Sequence, residues 1–417
     1  MASKLPTIGP FPAGVNNRRD DHDLSQSVQR GSIDLLRSAT NVDLTDEGKV
    51  RRRPGFTQAI AQDGCHSLWG DGNIGFYAAG SGLHQLRESG AGVAASLVRD
   101  DLAPGQPMSY CEAGGTYFYT GSGHIGMVRD GVRIDFTPRL NITPVLSATQ
   151  GALSAGRYQF CFTQMGVAGE SAATVPQVID LPAGGGIRIS SIPPAASGTS
   201  LRAYMTAANG EVFGRVDLQV SAGVAEIVAP PELGARCQAL LLEPMPAGSI
   251  VRHSNGRLLV AVGNLLCYSE PFANGLFRPS KNYIPFAAPV SVVEPCGSGV
   301  FVVADKTYWL DGDLAAASLI EKLPYGAVPH SGGSGPSDSN TVFWISTRGL
   351  VFGGADGSVR NAQEKQLALA GGASGATLYR EQEGLTHILT AVRDPMQTTA
   401  AASSYFDAEI VRKGVVL

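Results

Sequence analysis

RLLVAVGNLLCYS, at residues 257–269, consists of two apolar runs joined by Gly263-Asn264. A Gly-Asn pair between two such runs is typical of a β-hairpin with a two-residue turn. The pattern recurs in three later stretches: VFVVADKTYWL at 300–310, turning at Asp305-Lys306; VFWISTRGLVF at 342–352, turning at Thr347-Arg348; and a weaker copy, LTHILTAV, at 385–392. The sequence therefore predicts a series of hairpins in the second half of the chain.

These predicted turns are evenly spaced. Gly263, Asp305 and Thr347 follow one another at intervals of 42 residues. Upstream, FYAAGSGLHQL at 76–86 and FYTGSGHIGMV at 118–128 share a Gly-Ser-Gly turn, and the two turns begin 41 residues apart. A strand-rich unit that repeats every ~40–45 residues is typical of a β-propeller blade with four short strands. We therefore predict an all-β fold containing a β-propeller of about six or seven blades.

A long interval interrupts this repeat between Gly121 and Gly263, where one repeat plus about 100 residues must fit, the size of a small domain. Stretches at 157–164 and 201–205 alternate apolar with polar residues, as half-buried strands do. About seven short strands in about 100 residues are typical of an immunoglobulin-like β-sandwich, and the lack of a Cys–Trp–Cys framework favours the fibronectin type III kind. The predicted domains are an N-terminal arm (1–30), a first propeller part (31–140), an inserted sandwich (141–240) and a second propeller part (241–417).

The composition excludes several classes of protein. Charged residues are 16% of the 417 residues and the net charge is −4, so we expect no general attraction to nucleic acid or to an anionic membrane. The N-terminal sequence lacks the apolar segment of a secretory signal. The six cysteines form no C-x-x-C pair and several lie in apolar runs, which favours buried thiols in a protein made in a reducing cytoplasm; disulfides are the alternative.

The sequence also predicts the structure of several segments outside the repeat. Residues 1–30 suit an extended arm lying on another surface, and Ser32 could cap one or two helical turns over 32–39. Residues 41–56 predict two strands joined at Glu47-Gly48. Later segments are read as a flexible polar loop at 331–340, a small-residue linker at 397–404, and a last strand at 405–412 that closes the ring against 41–56.

The chain contains no recognisable catalytic, cofactor or metal-binding motif. GSGHIG at 121–126 spells G-x-G-x-x-G, but a strand and not a helix follows it, so we interpret it as a turn. Asp20, Asp21, His22 and Asp23 could hold a cation, although a solvated charged arm is the simpler interpretation. We interpret the remaining histidines as structural residues, and Trp309 and Trp344 as packing residues at similar places in successive units. The prediction is a protein that is not an enzyme and has no cofactor.

Two groups of charged residues need separate interpretations. Lys49, Arg51, Arg52 and Arg53 form a basic cluster that could contact phosphate or a neighbouring subunit, or be a solvated strand face. A propeller glycosidase would need carboxylates that converge on the central channel, and the candidates for them are Asp305, Asp311, Asp313 and Asp356. Asp311 and Asp356 each precede a glycine, which makes them turn residues first.

Three stretches resemble one family. N-V-D-x-x-x-x-G-x-x-x-R-R-P-G-F at 41–56 resembles the start of bacteriophage tail proteins of the nozzle or tail-hub kind. LLCYSEPFANGLFRPSKNYIPF at 265–286 is similar to a propeller blade of those proteins, and 156–171 with 201–233 resembles the sandwich domain that they insert.

The resemblance implies a structural protein of the virion tail. Six copies would form a homo-oligomeric ring through which DNA passes, bound to other tail proteins such as an adaptor, a tail fibre or a needle. The alternative is a tail-tip protein that binds a host surface receptor through the sandwich or the loop at 331–340.

Overall fold

The computed structural model describes residues 10–28, 31–40, 42–45, 47–52, 57–90, 92–336, 339–369, 372–382, 385–393 and 406–412. Over these ranges the protein is all-β, with many small antiparallel sheets and a single 3-10 turn, Asp21–Asp23, as its helical element. The predicted fold class, all-β, is therefore confirmed. None of the described residues forms a helix long and apolar enough to cross a membrane.

The predicted arm lies against a distant part of the chain, where Asn17 Nδ2 donates to the backbone oxygen of Ala368 at 2.9 Å, and two hairpins follow in place of the expected helix. Their strands are β1 (Ser25–Val28), β2 (Gly31–Asp34), β3 (Val42–Leu44) and β4 (Val50–Arg52). β1 pairs with β2 across the predicted boundary at residue 30, so the helical turns expected at 32–39 are wrong. Pairing supplies partners for backbone groups that an isolated two-turn helix would leave exposed. β3 pairs with β4 through the predicted turn at Glu47-Gly48, where Gly48 adopts a φ of +76°.

Two four-stranded antiparallel sheets follow in chain order. The first contains β5 (Cys65–Gly70), β6 (Ile74–Ala79), β7 (Gly82–Ser89) and β8 (Gly92–Arg99), and the second contains β9 (Met108–Ala113), β10 (Thr116–Gly121), β11 (His124–Arg129) and β12 (Val132–Ile134). Both predicted Gly-Ser-Gly turns join the second strand of a sheet to the third. GSGHIG is therefore a turn followed by a strand, as the sequence predicts.

Eight strands between residues 145 and 227 form two sheets that face each other. They are β13 (Val145–Leu153), β14 (Gly156–Gly166), β15 (Gly169–Glu170), β16 (Gln177–Leu181), β17 (Gly185–Ser190), β18 (Ser200–Met205), β19 (Gly214–Val216) and β20 (Ala225–Ile227). One sheet has the order β13-β17-β20; the other is β15-β14-β18-β19, with β16 also paired to β14. Tyr158, Phe160 and Phe162 of β14 are buried in the core between the sheets. Arg139 and Glu243, which flank this region, form an ion pair of 2.6 Å.

The remaining sheets repeat the four-stranded pattern with one shorter member. Their strands are β21 (Glu243–Pro244), β22 (Ile250–Ser254), β23 (Arg257–Val262), β24 (Leu265–Tyr268), β25 (Leu276–Phe277), β26 (Tyr283–Pro285), β27 (Val292–Cys296), β28 (Gly299–Val303), β29 (Thr307–Asp311), β30 (Ser318–Leu323), β31 (Gly333–Ser334), β32 (Thr341–Ser346), β33 (Gly349–Gly354), β34 (Val359–Asn361), β35 (Ser374–Gln382), β36 (Leu385–Arg393) and β37 (Phe406–Arg412). The sheets are β22-β23-β24-β26, β27-β28-β29-β30, β31-β32-β33-β34 and β35-β36-β37, with β21 and β25 paired separately.

The hairpins of this half agree with the sequence at three positions and differ at the fourth. Val262 pairs with Leu265 around Gly263-Asn264, and Ser346 pairs with Gly349 around Thr347-Arg348. Asp305 and Lys306 lie in the loop between β28 and β29. The weaker copy at 385–392 is wrong as a hairpin, because it is the single strand β36. Thr386–Thr390 contains no turn residue, so the chain stays extended between β35 and β37.

Two further expectations for the C-terminal half are corrected. The segment 331–340 is not an unpacked loop: Ser331 is fully buried and Gly333–Ser334 is the first strand of a sheet. The predicted last strand exists as β37, but it pairs with β36 and not with the described residues of 41–56. The linker predicted at 397–404 lies outside the described residues.

Neighbouring sheets pack side by side through aromatic and aliphatic residues. The first strands lie next to one another in the order β5, β9, β22 and β27, followed by β27 against β32 and β31 against β35. Phe301 contacts Trp309 with a ring-centroid distance of 4.5 Å and Trp344 with one of 5.3 Å. The two tryptophans are not at similar places, because Trp309 lies on the third strand of its sheet and Trp344 on the second strand of the next.

Candidate functional site

A cavity of about 590 Å³ lies where these sheets meet. Its lining comes from β5, β9, β22, β27 and β35–β36 and from the segment just before β31, so each of six sheets of the described chain contributes. The charged and imidazole side chains that line it are His66, Arg252, Glu294, His330 and Arg393.

Arg252 and Glu294 form a nearly buried ion pair at this cavity. Arg252 Nη2 donates to Glu294 Oε1 at 2.6 Å and Nε donates to Oε2 at 3.3 Å, while only 4% of the glutamate side chain is exposed. Arg252 Nη1 donates to Ser109 Oγ at 3.2 Å and to the backbone oxygen of Val251 at 2.8 Å. Burial opposes the charge of Arg252, but Glu294 outweighs it and the guanidinium pKa is raised. Ser109 lies on the second sheet, Arg252 on the third and Glu294 on the fourth, so these hydrogen bonds connect three neighbouring sheets.

The two residues of this pair occupy equivalent positions in successive repeats. Arg252 and Glu294 are 42 residues apart, the repeat interval, and each is the third residue of the first strand of its sheet. The sequence analysis missed both residues. The sequence does contain a signal for them, because two residues of opposite charge lie within apolar runs and are separated by one repeat interval.

The surroundings of the two histidines of the cavity favour their neutral forms. Burial lowers the pKa of His66, and burial together with Arg252 lowers that of His330. His66 Nδ1 lies 3.0 Å from Ser67 Oγ, but His66 Nε2 is buried and contacts no polar partner among the described residues. A serine–histidine pair without a carboxylate to orient the imidazole lacks one part of the arrangement that activates a serine nucleophile.

The four carboxylates considered for a glycosidase lie apart from this cavity. Asp311 and Asp356 are exposed next to turns, as their Asp-Gly sequences indicate. Asp313 is exposed and lies 3.6 Å from Arg257, whereas Asp305 accepts a hydrogen bond from Tyr308. None of the four lines the cavity, so the convergence that this alternative needs is not found.

The basic cluster is displayed on the surface. Arg51 and Arg52 are exposed on β4, and Lys49 pairs with Glu47 at 2.5 Å. Arg53 lies outside the described residues. These positions are accessible to a partner, and the sequence interpretation of a subunit or phosphate contact stays a prediction.

The acidic N-terminal stretch is also exposed. Asp21, His22 and Asp23 form the 3-10 turn, and Asp21 lies 3.6 Å from Arg37. Among the described residues, no group of three or more His, Cys, Asp or Glu side chains is placed to hold a metal ion. The six cysteines are free thiols, and only that of Cys65 is exposed.

A second cavity, of about 840 Å³, lies between the second and third sheets and the β14–β15 hairpin. Three segments close it: residues 136–137, the return segment 238–242 and the loop 270–276. Thr137 Oγ1 donates to the backbone oxygen of Gly169 at 2.8 Å, which ties the two-sheet unit to the edge of this cleft. We refer to it as the junction cleft.

Comparisons with known proteins identify no family. No family model and no curated protein matches the chain. Among solved structures, AztD from Citrobacter koseri is 11% identical over 84% of this chain and 90% of that chain, with a TM-score of 0.35. The Pan2 WD40 domain of Neurospora crassa is 10% identical over 78% of this chain and 85% of that chain, with a TM-score of 0.33. At these TM-scores the likeness adds nothing to the description of the fold.

Proposed function

We propose that this chain is a structural component of a bacteriophage tail, a nozzle or tail-hub protein of which several copies form a ring. The proposal includes a finer description of the fold, a six-bladed β-propeller with an inserted immunoglobulin-like sandwich at about 141–240. Six sheets around one cavity support the blade count. The ion pair between Arg139 and Glu243 supports an insertion whose two ends meet.

The observation that carries the assembly is strand β8, an edge strand of the first sheet that pairs only with β7 among the described residues. Every residue from Gly92 to Leu97 is exposed, and the strand contains no charged side chain before Arg99. Natural proteins protect edge strands with charges, proline or covering segments, because unpaired backbone groups recruit other strands. An uncharged edge with Val93 and Leu97 exposed is suited to contact with another protein chain.

Charge and cavity size are consistent with DNA in transit. The net charge of −4 gives the protein no general affinity for phosphate. Such an affinity would slow the passage of DNA through a channel. A cavity of about 590 Å³ has the size of a small-molecule site and cannot pass a double helix. The channel in this proposal is therefore the space enclosed by the ring of copies.

The experiment uses phage particles produced from the genome that encodes this chain. Mass spectrometry of the purified particles shows whether they contain the chain, and electron microscopy after affinity labelling shows where it lies. We expect the chain in the tail at a fixed copy number. Leu97→Lys should reduce its incorporation, because a charged side chain disfavours strand addition. Val212→Lys is the matched control, since Leu97 and Val212 are 57% and 58% exposed but only Leu97 lies on the edge strand. Particles that lack the chain would refute the function, and equal incorporation of both variants would refute the edge.

The basic cluster is proposed as a further subunit contact. Charges at the rim of an interface act mainly through the encounter rate and its salt dependence. Replacing Arg51 and Arg52 with alanine should slow assembly at low salt and reduce the effect of added salt. Unchanged kinetics would assign these residues to the solvated surface of β4.

A further inference from the structure

The junction cleft has the size and location of a ligand site. Its volume of about 840 Å³ lies within the ~300–1,000 Å³ range of small-molecule sites, which occur preferentially between structural units. Residues of the second sheet, the third sheet and the β14–β15 hairpin all face it. None of the functions considered so far uses these residues.

Aromatic rings form one side of the cleft. Phe118 stacks on Phe136 and on His253, with a ring-centroid distance of 6.4 Å in each case. Phe272 lies at the mouth of the cleft with 88% of its surface exposed and a φ of +57°. A phenylalanine in the left-handed region is strained, and strain of this kind is concentrated at functional sites.

Backbone hydrogen bonds hold the loop that displays Phe272. The amide of Phe272 donates to the backbone oxygen of Gly256 at 2.7 Å, and that of Glu270 donates to Leu276 at 2.8 Å. The amide of Leu276 donates to Ala273 at 2.9 Å. The ring is therefore presented by a preorganised loop, which lowers the entropy cost of binding.

Two side chains of the cleft have an acceptor oxygen without a donor. Asn274 Oδ1 is buried and has no hydrogen-bond partner among the described residues. Glu270 Oε1 accepts from Asn282 Nδ2 at 3.0 Å, while no described residue donates to Oε2. A buried acceptor without a donor is costly. A ligand hydroxyl would supply the missing donor.

The carboxylates of the cleft already have cationic partners. Glu170 lies 3.5 Å from Arg202 and accepts from Tyr204 at 2.6 Å, and Glu270 lies 3.7 Å from Arg278. Burial lowers the pKa of His253, which favours its neutral form. Arg129 also lines the cleft; it is exposed, and its Nε donates to Thr116 Oγ1 at 3.0 Å. A strongly cationic ligand therefore finds no uncompensated carboxylate among these groups.

We propose that the junction cleft binds a carbohydrate, with the face of a sugar ring on Phe272 and hydroxyl groups donating to Asn274 Oδ1 and Glu270 Oε2. The apolar face of a pyranose suits an aromatic ring, and its hydroxyls suit the two acceptors. The site does not require the ring assembly, so the purified chain tests it directly.

The test is saturation-transfer NMR on the purified full chain with maltotriose, cellotriose, chitotriose and a galactose trisaccharide, followed by calorimetry on any that binds. We expect at least one to bind. Phe272→Ala and Asn274→Ala should each weaken it about tenfold, the effect of losing ~1.4 kcal/mol of contact energy. Asn274→Asp, which keeps the acceptor oxygen, should bind more tightly than Asn274→Ala.

Tyr283→Ala is the control, because it removes an aromatic side chain, 41% exposed, that does not line the cleft. Circular dichroism checks that each variant folds. The proposal is overturned if none of the four sugars binds at millimolar concentration. It is equally overturned if Phe272→Ala and Tyr283→Ala behave alike, or if tetramethylammonium competes at the same site more strongly than the sugars.

Discussion

At the residue scale, Arg252 and Glu294 connect the repeat to the packing of neighbouring sheets. Two charges lie inside apolar strands, and each has its partner in the neighbouring sheet. A buried pair adds little net stability over a well-packed apolar pair, whereas removing one partner leaves the other charge uncompensated. Because each charge needs the other, the pair favours the one alignment of the two neighbouring sheets that brings them together.

A double-variant cycle tests this role. Glu294→Gln should lower the free energy of unfolding by about 3–5 kcal/mol, because the buried guanidinium loses its counter-charge. Arg252→Met combined with Glu294→Met should cost clearly less than that single change. Urea denaturation of the three variants measures both values. A double variant that is less stable than Glu294→Gln would contradict the argument.

Asp101 predicts a pH dependence. Hydrogen bonding to Arg99 lowers the pKa of Asp101 from 3.8 to about 2. A depressed pKa contributes stability above the unfolded value, and this contribution is lost as the pH falls through about 2. The stability difference between the wild-type chain and Asp101→Asn should therefore be constant above about pH 5 and shrink between pH 4 and 2. Denaturant titrations at pH 6, 4 and 2.5 measure it; a difference that grows on acidification would have the wrong sign.

At the scale of elements, packing between neighbouring sheets depends on a few large aromatic residues. Trp344 of β32 is fully buried against Phe301, yet its Nε1 has no hydrogen-bond partner among the described residues. Packing and hydrogen bonding thus oppose each other at one side chain. The indole gains contact area while its N–H loses water.

Two substitutions at this position separate these effects. Trp344→Ala should lower the free energy of unfolding by about 3–5 kcal/mol through the cavity that it leaves. Trp344→Phe should cost much less, because it keeps an aromatic ring against Phe301 and removes the unpaired N–H. Thermal and urea unfolding give the two values. Equal losses would show that the shape of the indole alone matters.

At the scale of the whole molecule, the region 141–240 is proposed as an insertion in one loop between two blades. Its two flanks are joined by Arg139 and Glu243, and its outer face shares a small core with Leu242 and Leu276. Inserted domains are tolerated where little backbone bonding is disturbed. The shared core predicts a modest coupling between the two parts.

Excision tests the insertion. Removing Thr143–Leu240 and bridging the ends with a few Gly and Ser residues should leave a soluble, folded β protein that is slightly less stable, since Leu276 loses its cover. The excised residues expressed alone should unfold cooperatively. Far-ultraviolet circular dichroism and urea unfolding of both pieces measure this. If both pieces are unfolded, the two-domain description fails.

The sequence by itself determined the class of fold and the hairpins at Gly263-Asn264 and Thr347-Arg348, because local alternation and turn residues encode strands and turns. It did not determine the partner of β37, the strand within 331–340, or the pairing of Arg252 with Glu294. These contacts join residues far apart in the chain, and strand pairing and charge compensation depend on which sheets become neighbours. The junction cleft arises in the same way, since residues 118, 170 and 272 meet only in the folded chain.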